Sequence, residues 1–367
     1  VLEKTGSGTG SLAGDATVIQ AVASRYKTIK QEAAELLAKQ ARERAQGSDD
    51  GGLQAQASQA QEVVDTLRTR AEKRKTKGRD GKVRISPTEP EAMVQPLKEG
   101  GYAPSYKPSV LANEERVIVS YEVDPSNESW MVPALVNMAE RVGGQKVSEL
   151  LLDSGYFDHG VIGACVERDI NLLCPEGKSL GEDEWAKRPS AYLGKSEFVY
   201  KEDRDVYLCP QGHAMRVVDR YKGTGKGSSY TRYGTPACAN CPERARCTQN
   251  KKGRLIKRYE GDEAKDALRE VMKDPRARAR YRKRQSMVEP VFGYIKRVLK
   301  LTRFRRRGLS KVRLEFGLYA LAYNLCLVVG RLKECFFAAV MAPQFCLISI
   351  MTGVWEDFGL EAHSYAT

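Results

Sequence analysis

The segment YRKRQSMVEPVFGYIKRVLKLTRFRRR, residues 281–307, decides how the rest of the chain is read. With the arginines just before it, residues 276–307 hold 13 Lys and Arg and a single carboxylate, Glu289. As a helix it places Gln285, Glu289 and Phe292 on one face, with Glu289, Gly293 and Lys296 in line. One acid in a field of cations suits a metal-dependent enzyme acting on a phosphate backbone: the acid holds the ion and the cations hold the phosphates. A solvated basic helix with an i,i+4 pair produces the same pattern. Taken alone, the segment leaves these two readings level.

Working outward, the whole chain of 367 residues carries a net charge of +13. Residues 276–307 supply 13 − 1 = +12 of it, so the charge is concentrated and the expected partner is a polyanion. The length allows two or three domains, or one with large insertions. A hydrophobic share of 41% and a mean hydropathy of −0.49 allow a core beneath much polar surface. No secretory signal opens the chain, and Val1 is not an initiator Met, which marks the sequence as a fragment or processed chain. The most apolar stretch, 318–329, is too short to span a bilayer, and 335–351 is interrupted by Pro343 and Gln344, so no membrane association is expected. Nine Cys without a signal sequence point to a reducing, cytoplasmic compartment.

In chain order, residues 12–22 read as a first strand that carries Asp15; the bland alternative is a solvent-facing acid at a strand edge. Residues 23–44 and 53–75 read as a helical hairpin broken by GSDDGG at 47–52, with a thin apolar stripe of Ile29, Ala33, Leu36 and Leu37 on its first arm. Strands are predicted at 106–111 and 116–123, the former pushed towards an edge by Pro108. A helix over 128–141 stops at the glycine pair 143–144. Strand 147–152 ends on Asp153, followed by a helix at 159–167 and a strand at 170–174. Strand alternating with helix predicts an α/β sheet with crossovers. Residues 175–260 are polar, turn-rich and without an evident core of their own. Helices follow over 262–273, the basic segment and 311–331.

Asp15, Asp153 and Glu289 are candidates for one site. Two-metal phosphoryl transfer needs hard oxygen ligands, which rigid strand ends and a helix packed across a sheet can supply. Among 47 acids, spacing alone permits many such trios.

The run Tyr281-x2-Arg284-x4-Glu289-x6-Lys296, with VEPVFGYIKR inside it, resembles the C-terminal signature of DDE transposases of bacterial insertion sequences. GLSKVRLEFGLYALAYNL (308–325) is similar to that family's closing helix, LLLDSGYF (150–157) to its second-aspartate motif, and GDATVIQAVAS (14–24) to its first. The resemblance covers roughly residues 12–331. It implies an RNase-H-like mixed α/β sheet flanked by helices, with a helical insertion and a small Cys-rich insertion. It also implies Asp15, Asp153 and Glu289 as ligands of Mg²⁺ or Mn²⁺ in a two-ion site. The implied partners are double-stranded DNA, as transposon ends and target, and a second copy in a dimeric or larger synaptic complex, in a bacterial cytoplasm. Tyr281, Arg284 and Lys296 would then grip phosphates, with Arg297, Arg303 and Arg305 as further DNA contacts. The family pattern has three residues between the Arg and the Glu where this chain has four, a turn of about 100° on a helix. The family's N-terminal DNA-binding region has no counterpart before Asp15.

The expected organisation is a first strand in 1–22, a helical insertion and linker in 23–100, the core in 101–174, the Cys-rich insertion in 175–260, the catalytic and closing helices in 261–331 and an unassigned tail in 332–367. Within the insertion, Cys238-x2-Cys241-x5-Cys247 with Cys209 upstream offers four thiolates to a structural zinc, His213 being a spare ligand; free loop thiols are the alternative. The chemistry expected is DNA strand cleavage and strand transfer. The competing classes are an inactive, truncated or domesticated transposase that only binds DNA, and a nuclease on the same fold.

Overall fold

Strands and helices alternate along the chain in the computed structural model, which describes residues 8–75, 83–177, 193–223 and 229–330. Its contacts divide into two units, Val1–Val147 with Lys283–Thr367, and Ser148–Arg282. The tail 332–367 lies outside the described residues.

The first unit begins with β1 (Ser11–Ala16) and β2 (Ile19–Gln20), then α1 (Gln31–Ala45) and α2 (Gly51–Lys75), β3 (Met93–Pro96), β4 (Tyr102–Asn113), β5 (Ile118–Asp124) and α3 (Val132–Gly143). β4 is the centre, with β1, β2, β3 and β5 all antiparallel to it. Ser105 pairs with Gln20 on one edge and Met93 on the other, so β4 serves partners on both sides. This corrects the expectation that Pro108 marks an edge strand. The Pro108 carbonyl accepts from Thr17 N, just past the end of β1. In an antiparallel pair a residue's N–H and C=O face the same neighbour. The donor that Pro108 lacks therefore falls where β1 has already ended.

The α1–α2 hairpin packs on small residues. Ala34 and Ala38 face Val63, Val64 and Leu67, with Val83 and Ile85 closing the cluster. Leu36 and Leu37, expected in the stripe, are exposed. Alanines at i and i+4 let the two helices approach closely, and the leucines point away. α3 ends at Gly144, left-handed at φ 66, as its glycine stop predicts.

The second unit opens with β6 (Glu149–Leu151), α4 (His159–Glu167) and β7 (Asn171–Leu173). β6 and β7 are parallel, the crossover that the alternation predicts. The polar stretch that follows is a five-stranded antiparallel meander: β8 (Val199–Lys201), β9 (Val206–Leu208), β10 (Ala214–Tyr221), β11 (Tyr230–Gly234) and β12 (Ile256–Tyr259). It does have a core, made of Phe198, Tyr207, Met215, Tyr233 and Ile256. Its inward residues are largely aromatic and widely spaced, so no apolar run announces it. α5 (Asp262–Val271) follows, tied to β12 through Arg258, which bonds Asp266 at 2.6 Å and Glu263 at 3.0 Å.

The basic helix α6 spans Pro275–Arg297. It ends on Lys300, left-handed at φ 62, with Leu301 N donating back to Ile295 O at 3.1 Å. Residues 300–307 are therefore not helical. α7 (Leu309–Gly330) is, by length and composition only, long and apolar enough to cross a membrane, more so than its sequence suggests. A packed core helix passes the same test, and Val312, Phe316, Ala320 and Tyr323 bury one side of it. That side holds β5. Asn324 donates to Ile118 O at 2.9 Å and accepts from Ile118 N at 3.0 Å, so an amide side chain occupies the strand edge. Gly317 allows the approach, because a Cβ there would sit 2.2 Å from Tyr121 Oη. Gly317→Ala is expected to cost about 1–3 kcal/mol, the range for overpacking. Urea unfolding of this variant alone and with Tyr121→Leu checks it, the second substitution restoring part of the loss.

Candidate functional site

Asp15 lies near the end of β1, opposite Val110. Its Oδ1 is 3.1 Å from the Arg284 guanidinium, and Arg284 Nε donates to the Gly14 carbonyl at 3.1 Å. Arg284 is 9% exposed and shares the buried face of α6 with Met287, Val288 and Val291. The residue expected to grip DNA is thus turned inward to clamp β1. The extra residue between it and Glu289 explains this, since one more step rotates a helical side chain by about 100°. The position one turn before Glu289 belongs to Gln285, whose amide donates to Glu289 Oε2 at 3.1 Å.

Glu289 is exposed. The next residue, Pro290, sits inside the helix and has no N–H for the Ser286 carbonyl. Arg116 Nε fills that vacancy, donating to Ser286 O at 3.1 Å. The helix is therefore interrupted chemically beside Glu289 without leaving a carbonyl unpaired.

Lys296 stands seven residues after Glu289, about two turns along the same side. Its ammonium donates to Thr17 Oγ1 at 2.6 Å and Val18 O at 3.2 Å, just beyond Asp15. Burial pulls its pKa down, Lys98 pulls the same way, and Glu99 and Asp15 oppose. Arg303 donates to the carbonyls of Ala21, Val22 and Ala23. Lys296 and Arg303 are thus engaged with backbone beside β1 and β2. Arg297 and Arg305 point to solvent. The buried Glu315 carboxylate accepts from the backbone N–H of both Arg305 and Arg306, fixing the chain that carries exposed Arg305, Arg306 and Arg307.

Asp153 and Tyr281 belong to the second unit. Asp153 follows β6 and caps a short turn, accepting from Gly155 N at 2.9 Å, while Cys174 Sγ donates to its carbonyl at 3.1 Å. Tyr281 is half-buried. Sequence reasoning gave His159 no role, yet its Nε2 is 3.2 Å from Asp262 Oδ1, and Lys195 bonds the other oxygen. Burial would raise the Asp262 pKa, but Lys195, the Tyr259 N–H and His159 together hold it below the usual range. A buried acid with such partners ties α4 to α5, a pairing that no sequence spacing reveals.

Cys209, Cys238, Cys241 and Cys247 border one cavity of ≈ 30 Å³ in the second unit, with His213 and Arg254 also at its wall. Cys247 is pushed up by burial and further by the other three cysteines, with Arg254 opposing. Among the described residues no three His, Cys, Asp or Glu side chains are closed around one point at metal-ligand spacing.

Residues 208–328 match a family described as a transposase DDE domain. The matched span contains Glu289, the basic helix and the four cysteines, whereas Asp15 and Asp153 precede it. No curated protein and no solved structure matches the chain. Mixed α/β architecture with sheets flanked by helices is consistent with an RNase-H-like DDE domain, and over residues 208–328 the chain is similar to that transposase family.

Proposed function

We propose that the protein cleaves DNA at the ends of an insertion sequence and joins the freed 3′-hydroxyl to target DNA. The observation that carries this is Glu289. It is an exposed acid in the basic helix, within the matched span, and the Arg284–Asp15 contact fastens that helix to the strand bearing the first aspartate. Asp15 and Glu289, with Asp153 as the third ligand that the sequence resemblance implies, would hold Mg²⁺ or Mn²⁺. Carboxylate oxygens are the hard donors these ions take, and the exposed Glu289 carboxylate accepts from the neutral Gln285 amide. Bound ions of this kind activate the attacking water or hydroxyl and stabilise the leaving oxygen.

The protein's own groups divide the remaining work. Arg284 orients Asp15 and balances its charge, and so acts as a positioning residue rather than a phosphate ligand. Lys296 fixes the chain after Asp15 from the face that carries Glu289. Arg297, Arg305, Arg306 and Arg307 take the DNA backbone, the last three on a loop whose backbone Glu315 holds still. Contacts of this kind set register and affinity but read no sequence. Work as a dimer or larger synaptic assembly on double-stranded DNA is part of the same proposal.

Glu289→Gln is expected to abolish nicking and strand transfer with Mg²⁺ or Mn²⁺ while leaving the melting temperature unchanged, because the side chain is exposed. Wild-type activity in this variant would remove Glu289 from the site. Arg284→Ala should instead act on stability, costing about 3 kcal/mol by breaking the partly buried pair with Asp15 and the bond to the Gly14 carbonyl, a loss readable by denaturant unfolding without DNA. Replacing Arg305 and Arg306 by Ala should leave stability intact and reduce the slope of log K against log salt by about one for each phosphate no longer neutralised.

A further inference from the structure

The four cysteines of the second unit come from two places in the chain. Cys209 closes the β9–β10 turn, where its N–H donates to His213 O at 3.0 Å and its carbonyl accepts from Gly212 N at 2.8 Å. Cys238, Cys241 and Cys247 come from the connection between β11 and β12. The meander brings both to the wall of one small cavity. A cavity of ≈ 30 Å³ is the size of one water or one ion.

Three further observations bear on what that cavity holds. First, Gly253 packs directly on Cys238: a Cβ at Gly253 would lie 2.7 Å from Cys238 Cβ and 3.2 Å from its Sγ. The chain closes over the sulfur from behind, at φ 89, a conformation that suits glycine. Second, Arg254 Nε is buried without a hydrogen-bond partner, although its other nitrogens reach Cys247 O and Leu193 O. Arg254 lines the same cavity as the four cysteines, and a cationic N–H without a partner is a donor that a thiolate sulfur accepts far better than a neutral thiol does. Third, the meander's buried core consists of five side chains, with Cys209 and Cys247 packed against it. Small cores of this kind gain from a metal or disulfide staple, and all four cysteines are free thiols.

We propose that Cys209, Cys238, Cys241 and Cys247 bind one structural Zn²⁺ as four thiolates, with Arg254 as a charge-balancing neighbour. Zinc with four thiolates carries a formal charge of −2, and a buried N–H donated to a ligating sulfur is the usual outer partner of such a site. On binding, each thiol gives up its proton to solvent and each sulfur gains a bond to zinc, which draws the four side chains inward and joins the two connections. No redox change is involved. His213 borders the same cavity but is exposed and takes no ligand role.

Metal analysis of the full chain, purified without chelator, tests this independently of DNA chemistry. One zinc per chain is expected, retained in Glu289→Gln, His213→Ala and Cys165→Ser, and absent from Cys238→Ser and Cys247→Ser. Arg254→Gln should weaken zinc retention against a competing chelator by about 10-fold. Should the cysteine variants fail to fold, cobalt(II) titration of the wild-type chain decides: the intense visible absorption of tetrahedral thiolate-bound cobalt is expected. Wild-type protein without zinc, a weak cobalt spectrum, or zinc missing from His213→Ala but kept in Cys209→Ser would each overturn the assignment. None of these results depends on whether Glu289 is catalytic.

Discussion

A guanidinium buried between a helix and a strand governs the geometry of the first unit. Arg284 commits its hydrogen bonds to Asp15 and the carbonyl of Gly14, which fixes β1 against α6 in one register. Such pairs add little net stability, since desolvation offsets most of the attraction. They act on specificity instead. With Arg284 facing inward, helical periodicity sends Met287, Val288, Val291 and Ile295 to the core and Glu289 to solvent. A slip of one residue would rotate every one of these side chains by about 100° and bury the acid among apolar groups.

The same clamp changes the meaning of the basic charge. By composition, residues 276–307 look like an undivided electrostatic surface for a polyanion. In the fold, Arg284, Lys296 and Arg303 form a row of cations bonded to β1, β2 and the chain beside them, so a share of the +12 works as internal fastening. The positive field left for DNA comes from side chains that remain exposed. Arg305 and Arg306 gain from rigidity, because the Glu315 carboxylate has already fixed their backbone. Pre-fixed cations lose less freedom when they meet phosphate.

The alternation of strand and helix after residue 116 was legible because each element is periodic and its stop is a local signal, as at Gly144. α4 was read to its ends for the same reason. The centrality of β4 was not legible: the rule that demotes a proline strand concerns a missing donor, and only the register shows that β1 has ended where Pro108 would need one. The meander was hidden because its core uses tyrosines, a phenylalanine and a methionine at wide intervals rather than aliphatic runs. As for the candidate site, Glu289 stood out as the sole acid of a basic segment. The partner of Asp15 did not, because 269 positions separate it from Arg284 and no local pattern links them. Likewise, spacing suggested that the cysteines act together, while the orphaned Arg254 Nε needed a structure to be seen.

The chain thus offers two donor chemistries, the carboxylates of the proposed catalytic site and the thiols of the second unit. Carboxylates are hard ligands that suit Mg²⁺ and Mn²⁺, and thiolates are soft ligands that suit zinc. Zinc outcompetes magnesium at most nitrogen, oxygen and sulfur sites, so a catalytic centre made only of carboxylates is open to mis-loading. A set of four thiolates binds zinc far more strongly than oxygen donors do, and it closes the coordination shell completely. A closed shell leaves no position for substrate, so the cysteine cluster fits a structural role. An exposed acid such as Glu289, by contrast, leaves room for water and phosphate beside an ion, and that openness is what phosphoryl transfer requires.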